Sequence, residues 1–403
     1  MKIVVAGPAT LSALGLTTDV PGYPFPLISN LALEYRKQGH EVHVVTTSPG
    51  LERPITMEGH NGIKVHIVGS RLRARDRALD LFKIEKRQLK RMIEEIAPTV
   101  IHAHWTYEFA LASQKLTIPT LITVHDWAPA VLRHFRDPYR VARLMMQVIC
   151  LSRAVDTTAP SRYVARKVER TYRTECRVIA NGVPVERPAA AAQSHNSSQG
   201  YKFRVGMLNS QNDPRKNVEA ALSAWPYFLK KYPDSVLVLA GEDFSREGPL
   251  AKQQRFAQLE SVQFIGSIPA QSVSSWMHSL DVFLHPSLEE SFGMVLVEAM
   301  QGSAVVIAGS SSGAVPEVVD NAGYLVDVTD PRHIAAALVH LRDEPGLADE
   351  FRRRASDRIV EFGLPVIASQ YLSVMDEIVQ RGTSGRKASH RVRGRKISTR
   401  YEG

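Results

Sequence analysis

The chain has 403 residues, 44% of them hydrophobic, a formal charge of +9 and two cysteines. That length suits two domains rather than one, no apolar run approaches the roughly 18–20 residues that span a bilayer, and Cys150 and Cys176 offer no disulfide framework. The charge is uneven, since residues 381–403 carry +7 of the +9, so the body is near neutral and its basic balance does not point to a nucleic-acid-binding fold.

From the N-terminus, strand-like apolar runs alternate with helical periodicity, the pattern of parallel βαβ units. The first half reads KIVVAG, EVHVVTT, KVHIVGS, TVIHAHW, TLITVHD, AVDTTAPS and CRVIAN as strands. Between the first two lies a helix, PLISNLALEYRKQGH, closed by Gly39 as a C-terminal cap. Residues 71–95 read as one long charge-rich helical stretch, with nine Lys/Arg against five acids. The run 188–200 (PAAAAQSHNSSQG) is small and polar, as a linker is.

A second series follows: FRVGMLN, a helix from Val218, SVLVLAGE, VQFIGSI, DVFLHPS, AVVIAGS and GYLVDV, then helices over 333–343 and 347–362 and a last one after Pro365. The fold class is therefore α/β, with two doubly wound, Rossmann-like parallel-sheet domains. The boundaries are 1–185 for the first, 186–200 for the linker and 201–364 for the second. Residues 381–403 lack hydrophobic periodicity and read as a disordered basic tail.

Ligands of open parallel sheets bind beyond the carboxyl ends of the strands, and His104, His125, Asn209 and Glu290 each follow a strand. The stretch 287–319 (SLEESFGMVLVEAMQGSAVVIAGSSSGAVPEVV) holds two acids, Glu290 and Glu298, at the mouth of an apolar helix. Burying an unpaired carboxylate is costly, so the pair points to a polyhydroxylated ligand. Helical rise separates the two by on the order of 10 Å, the span from a sugar ring to the ribose of a nucleotide sugar. The amides of Phe292, Gly293, Met294 and Val295 would face phosphates and hydroxyls, and Gly293 removes an obstructing side chain. Arg215 and Lys216 precede a helix, where positive charge opposes the dipole. An anionic ligand such as a diphosphate leaving group accounts for them.

His102 and His104 point one way from alternate strand positions, but further ligands at metal-site spacing are missing, so no metal is expected. His125 ends its strand, with Asp126 beside it as an orienting or acceptor-side group. No D-x-D, no G-x-x-x-x-G-K-[ST] and no G-x-G-x-x-G after the first strand occurs. The segment 7–15 (GPATLSALG) reads as a flexible acceptor-side loop. Residues 71–95 and the arginines at 133, 136, 140 and 143, with Leu144 and Met145, could meet an anionic leaflet.

These motifs resemble the family-four retaining glycosyltransferases, which have two facing Rossmann-like domains (the GT-B type). The resemblance rests on the E-x7-E pair Glu290 and Glu298, on EAMQGSAVVIAGSSSGAVPEVV and AGYLVDVTD, and on IANGV at 179–183. It implies a nucleotide-diphosphate sugar donor as co-substrate in the second domain, no cofactor, and a glycan, lipid-linked or small-molecule acceptor in the first. Glu290 would contact donor sugar hydroxyls, Glu298 the ribose, Lys216 the pyrophosphate and His125 the donor sugar; His104 and Asp126 would lie on the acceptor side. The last helix, 365–380, would return to the first domain. The family usually carries arginine where this chain has Met207, and Arg215 is the available substitute. Two free cysteines suit a cytoplasmic location, and similar enzymes, which often build lipid-linked glycans, add the expectation of peripheral attachment to the inner face of the membrane. Two other readings stay open: a nucleotide-sugar epimerase or phosphorylase on the same fold, or an inactive membrane or nucleic-acid adaptor with a basic tail.

Overall fold

The computed structural model describes residues 1–23, 25–184, 202–209, 213–253, 256, 259 and 261–395, with 383–395 as backbone only. The expected linker at 186–200 lies outside the described residues. Two compact units emerge. One takes in Met1–Pro160, Val164–Gly182 and the chain from Leu364; the other takes in Ser161–Tyr163 and Val183–Gly363.

The first unit is built on β1 (Lys2–Ala6), β2 (Glu41–Pro49), β3 (Ile55–Glu58), β4 (Lys64–Ser70), β5 (Val100–His104), β6 (Thr120–Thr123), β7 (Thr157–Ala159) and β8 (Cys176–Val178). They lie in the order β3-β4-β2-β1-β5-β6-β7-β8. Every pairing is parallel except β3 with β4. Strand β3 was not expected; its four residues are too few for a period-2 signal to stand out. The sheet is covered on both faces, as parallel sheets require. Ile3 and Val5 face one core; Val4 and Ala6 face another.

The helix Leu364–Arg395 supplies Ile367, Ala368, Tyr371, Leu372, Met375 and Ile378 to the core of Ile3 and Val5. Their spacing of three and four residues lays them along one stripe. The backbone of this helix runs on to Arg395. Residues 396–403 lie outside the described residues.

Two further expectations change. The stretch 71–95 is not one helix but two, Ala74–Leu79 and Lys83–Ile96, because Leu81 and Phe82 take left-handed φ of 52° and 59°. Residues 7–15 are not an open loop. They close into the turn Ser12–Leu14, with Ala9, Leu11 and Leu14 in the core.

The second unit is all parallel: β9 (Phe203–Leu208), β10 (Ser235–Ala240), β11 (Val262–Gly266), β12 (Val282–His285), β13 (Val305–Gly309) and β14 (Gly323–Val326), in the order β11-β10-β9-β12-β13-β14. Sequence direction reverses between β9 and β12, so a crevice opens beyond their carboxyl ends. The loops leaving these two strands carry Lys216 and Glu290.

Candidate functional site

In the second unit the loop after β9 tightens into the turn Pro214–Lys216, capped by Asp213. Asn217 then takes a left-handed φ of 51° and donates to the Val328 carbonyl at 2.9 Å. The backbone carbonyl of Arg215 accepts from Leu288 N–H at 2.7 Å, which ties this turn to the loop after β12. Lys216 Nζ thereby reaches Glu290 Oε1 at 2.6 Å. His285 Nε2 at 3.0 Å and Ser287 Oγ at 2.8 Å meet the same oxygen. The Ser287 hydroxyl has one proton, which it gives either to Glu290 or to the Arg215 carbonyl at 3.2 Å.

Glu290 is not at a helix entrance. It forms a parallel bridge with Gly313, and the helix begins only at Met294. Gly293, at φ +89°, ends the loop. Helical spacing from Glu290 to Glu298 therefore does not apply. Gly313 lies so close that a Cβ would sit 2.5 Å from the Glu290 carbonyl oxygen. Burial alone would raise the Glu290 pKa; the Lys216 charge and the His285 contact overcome it and hold the carboxyl well below its usual range. Among the described residues, the side-chain contacts to this carboxylate all fall on Oε1.

Glu298 is the contrasting acid. It sits half-buried in the helix Met294–Gln301, and burial raises its pKa. Among the described residues no side-chain hydrogen bond or ion pair engages its carboxylate. Of the other expected donor-side residues, Phe292 has its ring in the core against Phe362, 5.5 Å between centroids, so only its backbone is available. Met294 and Val295 open the helix, where amides lack intrahelical partners. Arg215 holds Asp213 through Nε at 2.9 Å and Nη2 at 2.5 Å. Its charge is partly compensated, which weakens it as a substitute for an arginine at position 207. Met207 itself is 1% exposed and packs in the core. Asn209 follows β9, its N–H bonded to the Ala240 carbonyl at 3.1 Å, and among the described residues no hydrogen bond ties it to Lys216 or Glu290.

The first unit has its own cluster at the ends of β5 and β6. His104 Nδ1 lies 2.8 Å from His125 Nε2, and burial pushes the His125 pKa down to about 3. His104 is 1% exposed, so it lies beneath the surface rather than at an acceptor's edge. Tyr107 donates to both carboxylate oxygens of Asp126, at 2.8 and 2.9 Å. The Trp105 ring lies tilted against His125, 4.5 Å between centroids, while Trp105 holds a left-handed φ of 61°, a strained conformation typical of working sites. A cavity of about 430 Å³ opens beside them, walled by Tyr23, Phe25, Trp105, Tyr107 and Tyr139 with Asp126 among its polar groups. Sequence reading missed this aromatic wall, and also His285 and Ser287. The signal for His285 was present: a histidine closing the strand DVFLHPS. Among the described residues no group of three or more His, Cys, Asp or Glu converges as a metal site would need.

Arg143 does not belong to the expected basic face. It pairs with Glu108 at 3.0 Å and lies 4.1 Å over the Tyr107 ring. The exposed face of the helix Pro138–Leu151 carries Val141, Met145 and Val148 instead, and Leu72 and Leu79 are 73% and 77% exposed. Arg73, Arg75, Lys83 and Arg87 are exposed in the same stretch of chain.

Two family models match: Glycosyltransferase Family 4 over residues 27–187 and Glycosyl transferases group 1 over residues 202–344. The chain belongs to the family-four glycosyltransferases. It is similar to the phosphatidyl-myo-inositol mannosyltransferase of Mycolicibacterium smegmatis, 28% identical over 90% of this chain and 92% of that one. Among solved structures it is similar to sucrose-phosphate synthase from Thermosynechococcus elongatus, with a TM-score of 0.76, 18% identity and coverage of 94% and 100% of the two chains. It is also similar to Anabaena HepE in complex with UDP and glucose, with a TM-score of 0.65, 17% identity and the same coverage. At such identity these structures show the fold, that of the GT-B glycosyltransferases. In this glycosyltransferase no helix among the described residues is long and apolar enough to cross a membrane.

Proposed function

We propose that this glycosyltransferase is a retaining enzyme that moves a sugar from a nucleotide-diphosphate sugar to a glycan, lipid-linked or small-molecule acceptor without a metal ion. The observation that carries the reading is the contrast between the two acids: Glu290 met on one oxygen by Lys216, His285 and Ser287, and Glu298 half-buried with no side-chain partner among the described residues. An unpaired carboxylate in that setting is stabilised by hydroxyl donors, as a ribose diol would supply.

Each group then has a task. Glu298 accepts from the ribose. Glu290 Oε2 accepts from the donor sugar. Lys216 and the amides opening the helix Met294–Gln301 offset the diphosphate charge as the bond from the anomeric carbon to phosphate oxygen breaks. The acceptor hydroxyl adds to the anomeric carbon on the face the diphosphate leaves, and its proton passes to the departing phosphate oxygen. HepE, of the same fold, was solved with UDP and glucose, which supports a nucleotide-sugar donor. The cavity beside Asp126 suits an acceptor ring, with aromatic walls to pack its carbons and a carboxylate to receive its hydroxyls.

Peripheral attachment to an anionic membrane from the cytoplasmic side accompanies this reading. Exposed Leu72, Leu79, Val141, Met145 and Val148 are apolar groups that cost solubility unless something covers them, and the relative named for a phosphatidyl-inositol acceptor acts on a lipid by its name. The deciding experiment is transfer from labelled nucleotide sugars to a panel of glycan and lipid acceptors, with product anomers assigned by NMR. Isomerised donor without transfer, or inverted product, would refute the reading.

A further inference from the structure

We infer that His104 is a positioning residue that fixes the tautomer of His125, so that His125 offers an N–H donor to the ligand. This inference rests on the glycosyltransferase reading only for its meaning in catalysis. The geometry stands by itself.

Strands β5 and β6 run parallel with His104 opposite Thr123, which sets His104 beside the segment that leaves β6 toward His125. The rings lie nearly parallel, 5.1 Å between centroids, and the only polar contact between them is from His104 Nδ1 to His125 Nε2 at 2.8 Å. A neutral imidazole carries one N–H and one bare lone pair, so one proton occupies that contact.

Two arrangements are possible. If His125 donates, His104 must carry its proton on Nε2. That atom is fully enclosed and has no partner, and enclosed N–H groups with nothing to accept them are rare in folded proteins. His102 cannot serve it. The His102 ring lies tilted against His104, 4.1 Å between centroids, but its own nitrogens are taken by the Tyr35 hydroxyl at 3.0 Å and Thr123 Oγ1 at 2.8 Å. If His104 donates instead, the enclosed Nε2 is a bare lone pair, and the His125 proton lies on Nδ1. Among the described residues that nitrogen has no hydrogen-bond partner, and it is not among the enclosed atoms left without one. The second arrangement leaves no enclosed N–H without a partner. His125 then faces the ligand as a hydrogen-bond donor suited to a sugar hydroxyl or a phosphate oxygen, and not as a base.

Long-range ¹H–¹⁵N correlation spectra of histidine-labelled full-length protein at neutral pH read the tautomer directly, with His125 assigned by its loss in His125→Gln. The expected spectrum shows the proton on Nδ1. In His104→Phe the proton should move toward Nε2, and in His104→Asn, whose amide can still donate, it should stay on Nδ1. Turnover of His104→Phe should fall by roughly 10²-fold, the scale of losing one preorganised donor, with the donor KM little changed and with recovery in His104→Asn. A wild-type spectrum with the proton on Nε2 overturns the inference even if no variant folds. So does a His104→Phe protein whose His125 tautomer is unchanged. Protein with the expected tautomer but no transferase activity would refute the proposed function and leave this inference standing.

Discussion

Lys216 Nζ meets Glu290 Oε1 at 2.6 Å across 74 positions of sequence. Two loops leaving adjacent strands are stitched together by the Arg215 carbonyl, which accepts from Leu288, so the cation and the carboxylate share one small volume. Lys216→Met is expected to lower turnover by about 10²- to 10³-fold, as loss of one preorganised charge does. Single-turnover kinetics with a saturating nucleotide sugar would check it, and unchanged turnover would remove Lys216 from the site.

Glu290→Gln should destabilise the second unit by about 1–3 kcal/mol, because the half-buried Lys216 loses its counter-charge. The pH dependence has a definite sign. The folded pKa of Glu290 lies below its ordinary 4.5, so its stabilisation is present above that value and is lost as pH falls toward the folded pKa. The stability gap between wild type and Glu290→Gln is therefore constant at about pH 6 to 8 and closes in acid. Urea titrations carried from neutral pH into acid, below the ordinary carboxylate pKa, would show a gap that stays flat if the assignment is wrong.

Glu298 has the opposite sign. Burial raises its pKa above 4.5, so the folded state holds its proton longer and stability declines as pH rises through that interval. At neutral pH the ionised group costs stability in the unliganded protein. Glu298→Gln should raise Tm without ligand while weakening nucleotide diphosphate binding by roughly 10- to 100-fold, the loss of charge-assisted bonds worth about 1.5–3 kcal/mol. Calorimetry with and without nucleotide measures both, and a lowered Tm with intact binding would contradict the assignment.

Gly293→Ala should cost about 1–2 kcal/mol. Its φ of +89° is left-handed, and a Cβ would stand 2.8 Å from Leu296 Cδ1. Because the same residue sets where the helix Met294–Gln301 begins, donor affinity should fall with stability. A thermal melt and a binding isotherm on the same preparation test the pair of effects.

Replacing Leu72 and Leu79 with aspartate should reduce binding to anionic vesicles while leaving turnover on a soluble acceptor unchanged. Neighbouring Lys and Arg each add roughly 1 kcal/mol at an anionic surface. Flotation that is equal on neutral and anionic vesicles, or unaffected by the substitutions, would remove the membrane from the reading.

The strands were legible because parallel sheets buried on both faces leave long apolar runs, as in SVLVLAGE and AVVIAGS. Strand β3 escaped notice because Ile55 and Met57 alone are too short a pattern. The break at Leu81 and Phe82 escaped because nothing local forbids a helix there; tertiary packing of Phe82 overrides propensity. At the site, acids and cations could be read as residue types, but their pairing could not. That Glu290 is held by His285 and Ser287, while the Glu298 carboxylate meets no side chain among the described residues, depends on loop closure over β9 and β12. Met207 was legible as a departure from the family pattern; its place in the core was not. His104 was legible as a histidine on a strand, but its depth beneath His125 was not.

The chain crosses between its two units and then comes back: Tyr371 and Ile367 share a core with Ile3, although the whole second unit separates them in sequence. A graft that exchanges one lobe for that of a relative must therefore cut twice, near Gly182 and near Leu364. A hybrid joined once would leave the amino-terminal sheet without its closing helix. Recombination in nature faces the same constraint, so new acceptor preferences should arise more readily by loop changes than by exchange of halves.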